Sequence, residues 1–145
     1  MADMSSSSTT IDASVEDVRA VLFDIEAYPT WSTAIKSVEV HEKDGSGHPT
    51  KLTIKVEAGV LKDRATLSYD WSKAPDEISF SLDEADLLTG MDGIYSIKSI
   101  DQDTTEVTYE LEVSLSMPIP AMMRQKAEKS TIDAALTQLK THLEE

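Results

Sequence analysis

The stretch "DVRAVLFDIEAYPTWSTAIKSVEV" (residues 17–40) changes character twice. Ser14, with Asp17 three residues on, forms the start of a capping box, and Val15, Val18, Leu22 and Ile25 then recur on one helical face. The helix cannot run through Pro29, because the residue before a proline is pushed out of the helical region. Residues 34–42 then read as a short strand. The break holds Tyr28 and Trp31, two of only eight aromatic residues in the chain. A proline flanked by two such side chains marks a place where the chain turns, and by pattern alone Trp31 simply packs there.

Outward from this stretch the pattern is plain. In "KLTIKVEAG" Leu52, Ile54, Val56 and Ala58 alternate with polar residues, and in "RATLSYDWS" so do Ala65, Leu67, Tyr69 and Trp71. "ISFSL" sets Ile78, Phe80 and Leu82 on one side, and "VTYELEVSL" sets Val107, Tyr109, Leu111, Val113 and Leu115. Period-two alternation gives each strand one dry and one wet face, as in an antiparallel sheet built from hairpins. "KAPDE" (73–77) and "DQDTT" (101–105) supply the turns. In "LLTGMDGIYSIKSI" Met91, Gly93, Tyr95 and Ile97 are expected to face inward. After Leu115 the run "MPIPAMMRQKAEKSTIDAALTQLKTHLEE" has no glycine or proline beyond Pro120, and Ile132, Ala135, Leu136, Leu139 and Leu143 form a stripe at helical spacing. From Pro120 to the end this helix would measure roughly 36 Å, enough to cross a domain. The fold class is α+β, one sheet whose dry face is covered by one long helix.

The 145 residues are one domain's worth, enough to bury roughly 70% of the unfolded surface around one core. The net charge is −14, and between Asp76 and Glu112 eleven acidic residues meet a single base, Lys98. Such a surface repels phosphate backbones and anionic bilayers, so nucleic acid is not an expected partner. No apolar run approaches the roughly 20 residues of a membrane span, so integral membrane association is not expected either. With no cysteine there is no disulfide, thiolate nucleophile or thiolate metal site. "MADMSSSSTT" lacks the apolar core of a signal peptide, and the expected setting is cytoplasmic. By pattern alone, "MSSSSTTI" reads as a polar tail.

The helix broken at "DIEAYPTW" (24–31), the antiparallel strands after it, the "DTTEVTYEL" hairpin and the long helix led in by "PIPAMM" together resemble the SRPBCC superfamily. The nearest branch is that of polyketide cyclases/dehydrases and coenzyme Q-binding proteins, related to START lipid-transfer domains. The resemblance implies a helix-grip fold: a curved antiparallel sheet of six to seven strands wrapped around a long C-terminal helix, with short helices after the first strand. It implies that "SSSSTTI" is that first strand, that residues 1–145 form one domain with 1–4 outside the fold, and that an apolar cavity lies between sheet and helix. Tyr28 and Trp31 would then plug one end or floor the cavity.

No catalytic constellation stands out. His41 and His48 flank a turn and His142 sits near the C-terminus, all three reading as solvated, with no pair at metal-ligand spacing. No serine lies in a Gly-x-Ser-x-Gly elbow, and the five glycines make no phosphate loop. "DEAD" (83–86) is an acidic turn without a phosphate-binding partner motif. Arg64 falls on the wet face, where Glu57 is its expected partner. Inward polar groups reduce to the phenols of Tyr69, Tyr95 and Tyr109 and the indole of Trp71, with no inward carboxylate.

The expected function is binding or transport of a small hydrophobic ligand, a lipid, quinone or polyketide-like metabolite. The expected lining is Trp31, Ile54, Val56, Leu67, Tyr69, Trp71, Phe80, Leu82, Tyr95, Ile97, Met122 and Met123. The two methionines suit an adaptable surface near the cavity entrance, or else pack into the core. No cofactor and no metal are called for. Two alternatives stand beside this reading: a cyclase or dehydrase using tyrosines as proton donors, and an acidic module docking a basic partner through residues 76–112.

Overall fold

The computed structural model describes residues 4–58, 61–115 and 119–144, with the backbone alone at Ala58 and Leu61. The elements run β1 (Ser5–Ile11), α1 (Val15–Phe23), a 3₁₀ turn (Ile25–Thr30), β2 (Ile35–Lys43), β3 (Pro49–Ala58), β4 (Leu61–Asp70), β5 (Glu77–Ala85), β6 (Leu88–Asp101), β7 (Thr104–Leu115) and α2 (Ala121–Glu144). All seven strands form one curved sheet in the order β1-β7-β6-β5-β4-β3-β2, antiparallel throughout. This is the helix-grip arrangement, a meander from β2 to β7 whose free edge is taken by β1.

The core follows the alternation. Leu52, Ile54, Val56, Ala65, Leu67, Ile78, Phe80, Tyr95, Ile97, Val107, Tyr109 and Leu111 are buried from the sheet, and Ile132, Leu136 and Leu139 meet them from α2. From the stretch at residues 17–40 come Val18, Leu22, Ile25, Tyr28 and Trp31. Ser14 caps α1 by accepting from the Asp17 N–H at 3.2 Å. The α-helix ends at Phe23, and the proline is accommodated in the tighter 3₁₀ turn that follows.

The polar start is a strand, not a tail. Ser5–Ile11 pair with Leu111–Thr105, and Ser8 and Thr108 share a hydroxyl contact of 2.7 Å. Residues 1–3, and Pro118 of the lead-in to α2, lie outside the described residues. Helix α2 lies closest to β1 and β7 rather than over the middle of the sheet. Lys129 and Lys140 fasten it to the β1 carbonyls of Ser6 and Thr10 at 2.6 and 2.7 Å.

Two local expectations are corrected. Asp83, Glu84 and Ala85 belong to β5 and not to a turn, and Gly90 and Gly93 lie within β6. Gly93 stands opposite Phe80, whose ring lies over it so closely that a Cβ there would sit 2.2 Å from the ring. Arg64 does face the wet side, but its partner is Glu39 at 3.9 Å, because β3–β4 register sets Glu57 opposite Lys62.

Candidate functional site

All four tyrosines of the chain are brought to the dry face, each by a different element. β4 carries Tyr69, β6 Tyr95, β7 Tyr109, and the 3₁₀ turn Tyr28. Tyr95 and Tyr109 are register partners, and their rings stack at 4.1 Å with 13° between planes. Tyr69 packs on its cross-strand partner Phe80 at 5.3 Å. Tyr28 meets Trp31 edge-on at 5.0 Å, while its hydroxyl donates to the Leu22 carbonyl and ties the turn back onto α1.

Burial pushes every one of these phenols above its ordinary range, Tyr28 and Tyr95 most strongly. Beyond desolvation, each of Tyr28, Tyr69 and Tyr95 is raised further by the charge that neighbouring phenols would carry, so the group is close enough to couple. A hydrogen bond from Tyr95 partly offsets the desolvation of Tyr109. At neutral pH the four groups are hydrogen-bond donors and poor acids. Tyr69 remains half-accessible even though its hydroxyl is strongly desolvated, as does Leu82 on β5.

Trp31 follows the 3₁₀ turn as its C-cap and is 8% exposed. Gln138 of α2 holds the next segment, accepting from the Thr33 N–H at 3.0 Å and donating to its hydroxyl at 2.8 Å. Among the described residues the indole Nε1 of Trp31 is the one buried side-chain polar atom without a hydrogen-bond partner. Trp71 is the opposite case. Its Nε1 donates to the Pro49 carbonyl at 2.6 Å, and its ring stacks on His48 at 4.2 Å and meets Phe23 edge-on at 5.4 Å. Trp71 therefore closes the end of the sheet beside the β2–β3 hairpin. His48 is part of that closure and not a freely solvated histidine, and His41 bonds the Thr53 hydroxyl at 2.7 Å on the wet face.

Two buried carboxylates correct the expectation that none points inward. Glu128, 1% exposed on α2, accepts from the Ser5 hydroxyl at 2.8 Å, the Val113 N–H at 2.7 Å and Arg124 at 2.7 Å. Asp63 shares the inward parity of Ala65, Leu67 and Tyr69 and accepts from four backbone amides, of Arg64, Asp86, Leu87 and Leu88. Each carboxylate is saturated by the fold and has structural work there. Glu128 sits one turn before Ile132 on the same helical stripe, which was the available signal for it.

Of the expected lining, Trp31, Ile54, Val56, Leu67, Phe80, Tyr95 and Ile97 are buried on the dry side, with Tyr69, Trp71 and Leu82 half-buried there. Met122 and Met123 are 81% and 61% exposed on the first turn of α2, so neither packs into the core. Two concavities, of about 570 and 300 Å³, are furrows that include wet-face residues, His41, Thr53, Arg64 and Thr66 in one and Ser68, Ser79 and Ser81 in the other. No tyrosine or tryptophan lines either furrow. The Thr53 hydroxyl that the larger one exposes is already bonded to His41 and, at 2.9 Å, to Thr66. Convergent donors in an apolar setting lie on the other face, and that face is the candidate site.

Residues 11–140 match the family described as polyketide cyclase/dehydrase and lipid transport. The chain belongs to this family. The solved structures it resembles agree with the SRPBCC, START-like reading. A START superfamily protein from Mycobacterium smegmatis is 25% identical over 99% of this chain and 98% of its own, with a TM-score of 0.93. The Zhui aromatase/cyclase from Streptomyces sp. R1128 is 16% identical over 97% and 93%, with a TM-score of 0.80. The protein TTHA0849 from Thermus thermophilus is 19% identical over 97% and 96%, with a TM-score of 0.81. The last two likenesses are of fold alone. No curated protein matches the chain. Among the described residues no helix is long and apolar enough to cross a membrane.

Proposed function

We propose that the chain binds a small hydrophobic molecule, a lipid, quinone or polyketide-like compound, between the dry sheet face and the segments that cover it. The observation that carries this reading is the convergence of all four phenols in an interior whose two buried carboxylates, Glu128 and Asp63, are already bonded within the fold. Few, convergent polar groups within an apolar wall are the usual form of a small-molecule site. The half-accessible Tyr69 and Leu82, inward yet reachable, support a recess there.

The test is native mass spectrometry of protein purified without detergent, followed by organic extraction of whatever co-purifies. A bound mass lost on extraction, with saturable quenching of tryptophan fluorescence when a neutral hydrophobic probe is returned, is the expected result. An unliganded chain that shows no saturable quenching overturns the proposal.

A cyclase or dehydrase activity is a second reading, favoured by the stacked Tyr95–Tyr109 pair, in which Tyr95 donates to Tyr109 and leaves the Tyr109 proton for a carbonyl. Binding accounts better for the chemistry. Proton transfer needs a group whose proton affinity is near ambient pH, whereas these phenols hold their protons tightly and Glu128 and Asp63 are saturated.

A further inference from the structure

One polar group of the inner site has a single sign of hydrogen bonding. The indole of Trp31 can only donate, and it is buried without a partner. Of the phenols, Tyr28 already donates to the Leu22 carbonyl and Tyr95 to Tyr109, so neither proton is free for a ligand. No lysine, arginine or histidine is among the described buried residues, and Arg124, half-buried at the start of α2, is committed to Glu128. An edge-on contact with Tyr28 is a weak substitute for an oxygen acceptor. A buried N–H left unpaired is costly, and native folds rarely tolerate one without reason.

From this we infer that the ligand is an uncharged molecule carrying a carbonyl-type acceptor oxygen, and that Trp31 Nε1 donates to that oxygen. The inference rests on the binding function proposed above and narrows its ligand class. A carboxylate would be desolvated with no free cation to meet it, which the apolar wall penalises heavily. A plain hydrocarbon would leave the indole N–H as unpaired as before. A carbonyl satisfies the orphan donor and brings no charge. Trp71 is an internal control, since its N–H is already bonded to Pro49.

Three probes of one shape separate these cases: 2-methyl-1,4-naphthoquinone, 2-methylnaphthalene and 2-naphthoate, titrated by calorimetry into wild-type protein and Trp31→Phe. The quinone should bind best, and Trp31→Phe should weaken it about three- to tenfold more than it weakens 2-methylnaphthalene, one neutral hydrogen bond's worth. In ¹⁵N-labelled wild type, the chain's two indole N–H resonances should respond unequally. Trp31 should shift downfield with the quinone and not with the hydrocarbon, and Trp71 should move little. This second readout needs no variant, so it stands if Trp31→Phe folds poorly. If all three probes bind but naphthoate is preferred, or the Trp31 resonance does not move with the quinone, this inference is overturned and the binding function survives. If none of the three binds, the binding function fails and the inference with it.

Discussion

Gly93→Ala tests how fully the dry face is packed. An ideal Cβ at this position lies 2.2 Å from Phe80 Cζ, 2.5 Å from Cε1 and 2.9 Å from Cε2. Ordinary carbon contacts start at ~3.5 Å, so the ring must retreat by about 1.3 Å. Tyr69 stands behind it at 5.3 Å. Forcing a methyl group into such a contact typically costs ~1–3 kcal/mol. Gly93 is not among the positive-φ glycines, so alanine fits its backbone and recovers ~0.4–1 kcal/mol by restricting the unfolded chain. The expected net loss is about 1–2 kcal/mol. With Phe80→Ala the obstructing ring is gone, and the same glycine substitution should turn stabilising by the smaller amount. Urea unfolding of the wild type, both single variants and the double variant measures the coupling, which should be roughly 1–3 kcal/mol. An equal loss in both backgrounds would place the effect in the strand backbone and refute the steric argument. A neutral Gly93→Ala in the wild type would show the ring swinging into empty space.

Alkaline pH should destabilise the fold early. All four phenols are raised, so above pH ~10 the unfolded chain releases protons that the folded chain keeps. Their contribution is whole below pH ~10 and is lost as pH rises beyond it, by up to ~1.4 kcal/mol per unit for each phenol. Urea midpoints from pH 8 to 11.5, followed beside phenolate absorbance, check this; a tyrosine ionising near pH 10 in folded protein would contradict it. Glu128→Ala should cost ~3–5 kcal/mol, because it strands Arg124, the Val113 amide and the Ser5 hydroxyl, and adding Arg124→Met should restore a large part. A double variant no better than the single one would show that the ion pair is not the cause. Asp63→Ala should cost ~2–4 kcal/mol by freeing three amides at the β5–β6 turn and that of Arg64 on β4, with amide exchange rising first at Asp86–Leu88. Unchanged exchange there would mean the turn holds without its carboxylate.

The strands were legible because one face of each is dry, and period-two alternation records that fact residue by residue. β1 was legible through the family resemblance and not through the pattern, since Ser5, Ser7 and Thr9 carry no hydropathy contrast. Its place is set by pairing with β7 and by hydroxyl contacts to Glu128 and Thr108, all from distant sequence. Glu128 hid for a related reason: a carboxylate interrupts an apolar stripe in the sequence while occupying that stripe in the helix. Asp63 hid in the same way on β4. The aromatic content of the site was visible, but not its hydrogen bonding. Which indole is satisfied depends on whether a carbonyl such as that of Pro49 comes within reach, and only the folded chain decides that. The proline break at 29 did mark its place correctly, because a chain that must turn sharply while keeping Tyr28 and Trp31 inside has few other local solutions.

The charge outside and the donors inside act on ligands by different physics, and salt separates them. A surface of net charge −14 repels anions at a distance, an effect that fades beyond a Debye length of ~8–10 Å at ordinary ionic strength. The inner site penalises an anion by desolvation, in a space that salt does not reach. If both operate, raising the salt should speed association of 2-naphthoate and leave that of the naphthoquinone unchanged. The preference for the quinone over the carboxylate should shrink only in part and then level off. Stopped-flow quenching at ionic strengths from about 0.01 to 1 M, over which the Debye length falls from ~30 to ~3 Å, measures both quantities. A preference that vanishes at high salt would mean that surface repulsion alone selects the ligand, and that the uncharged interior around Trp31 has no part in it.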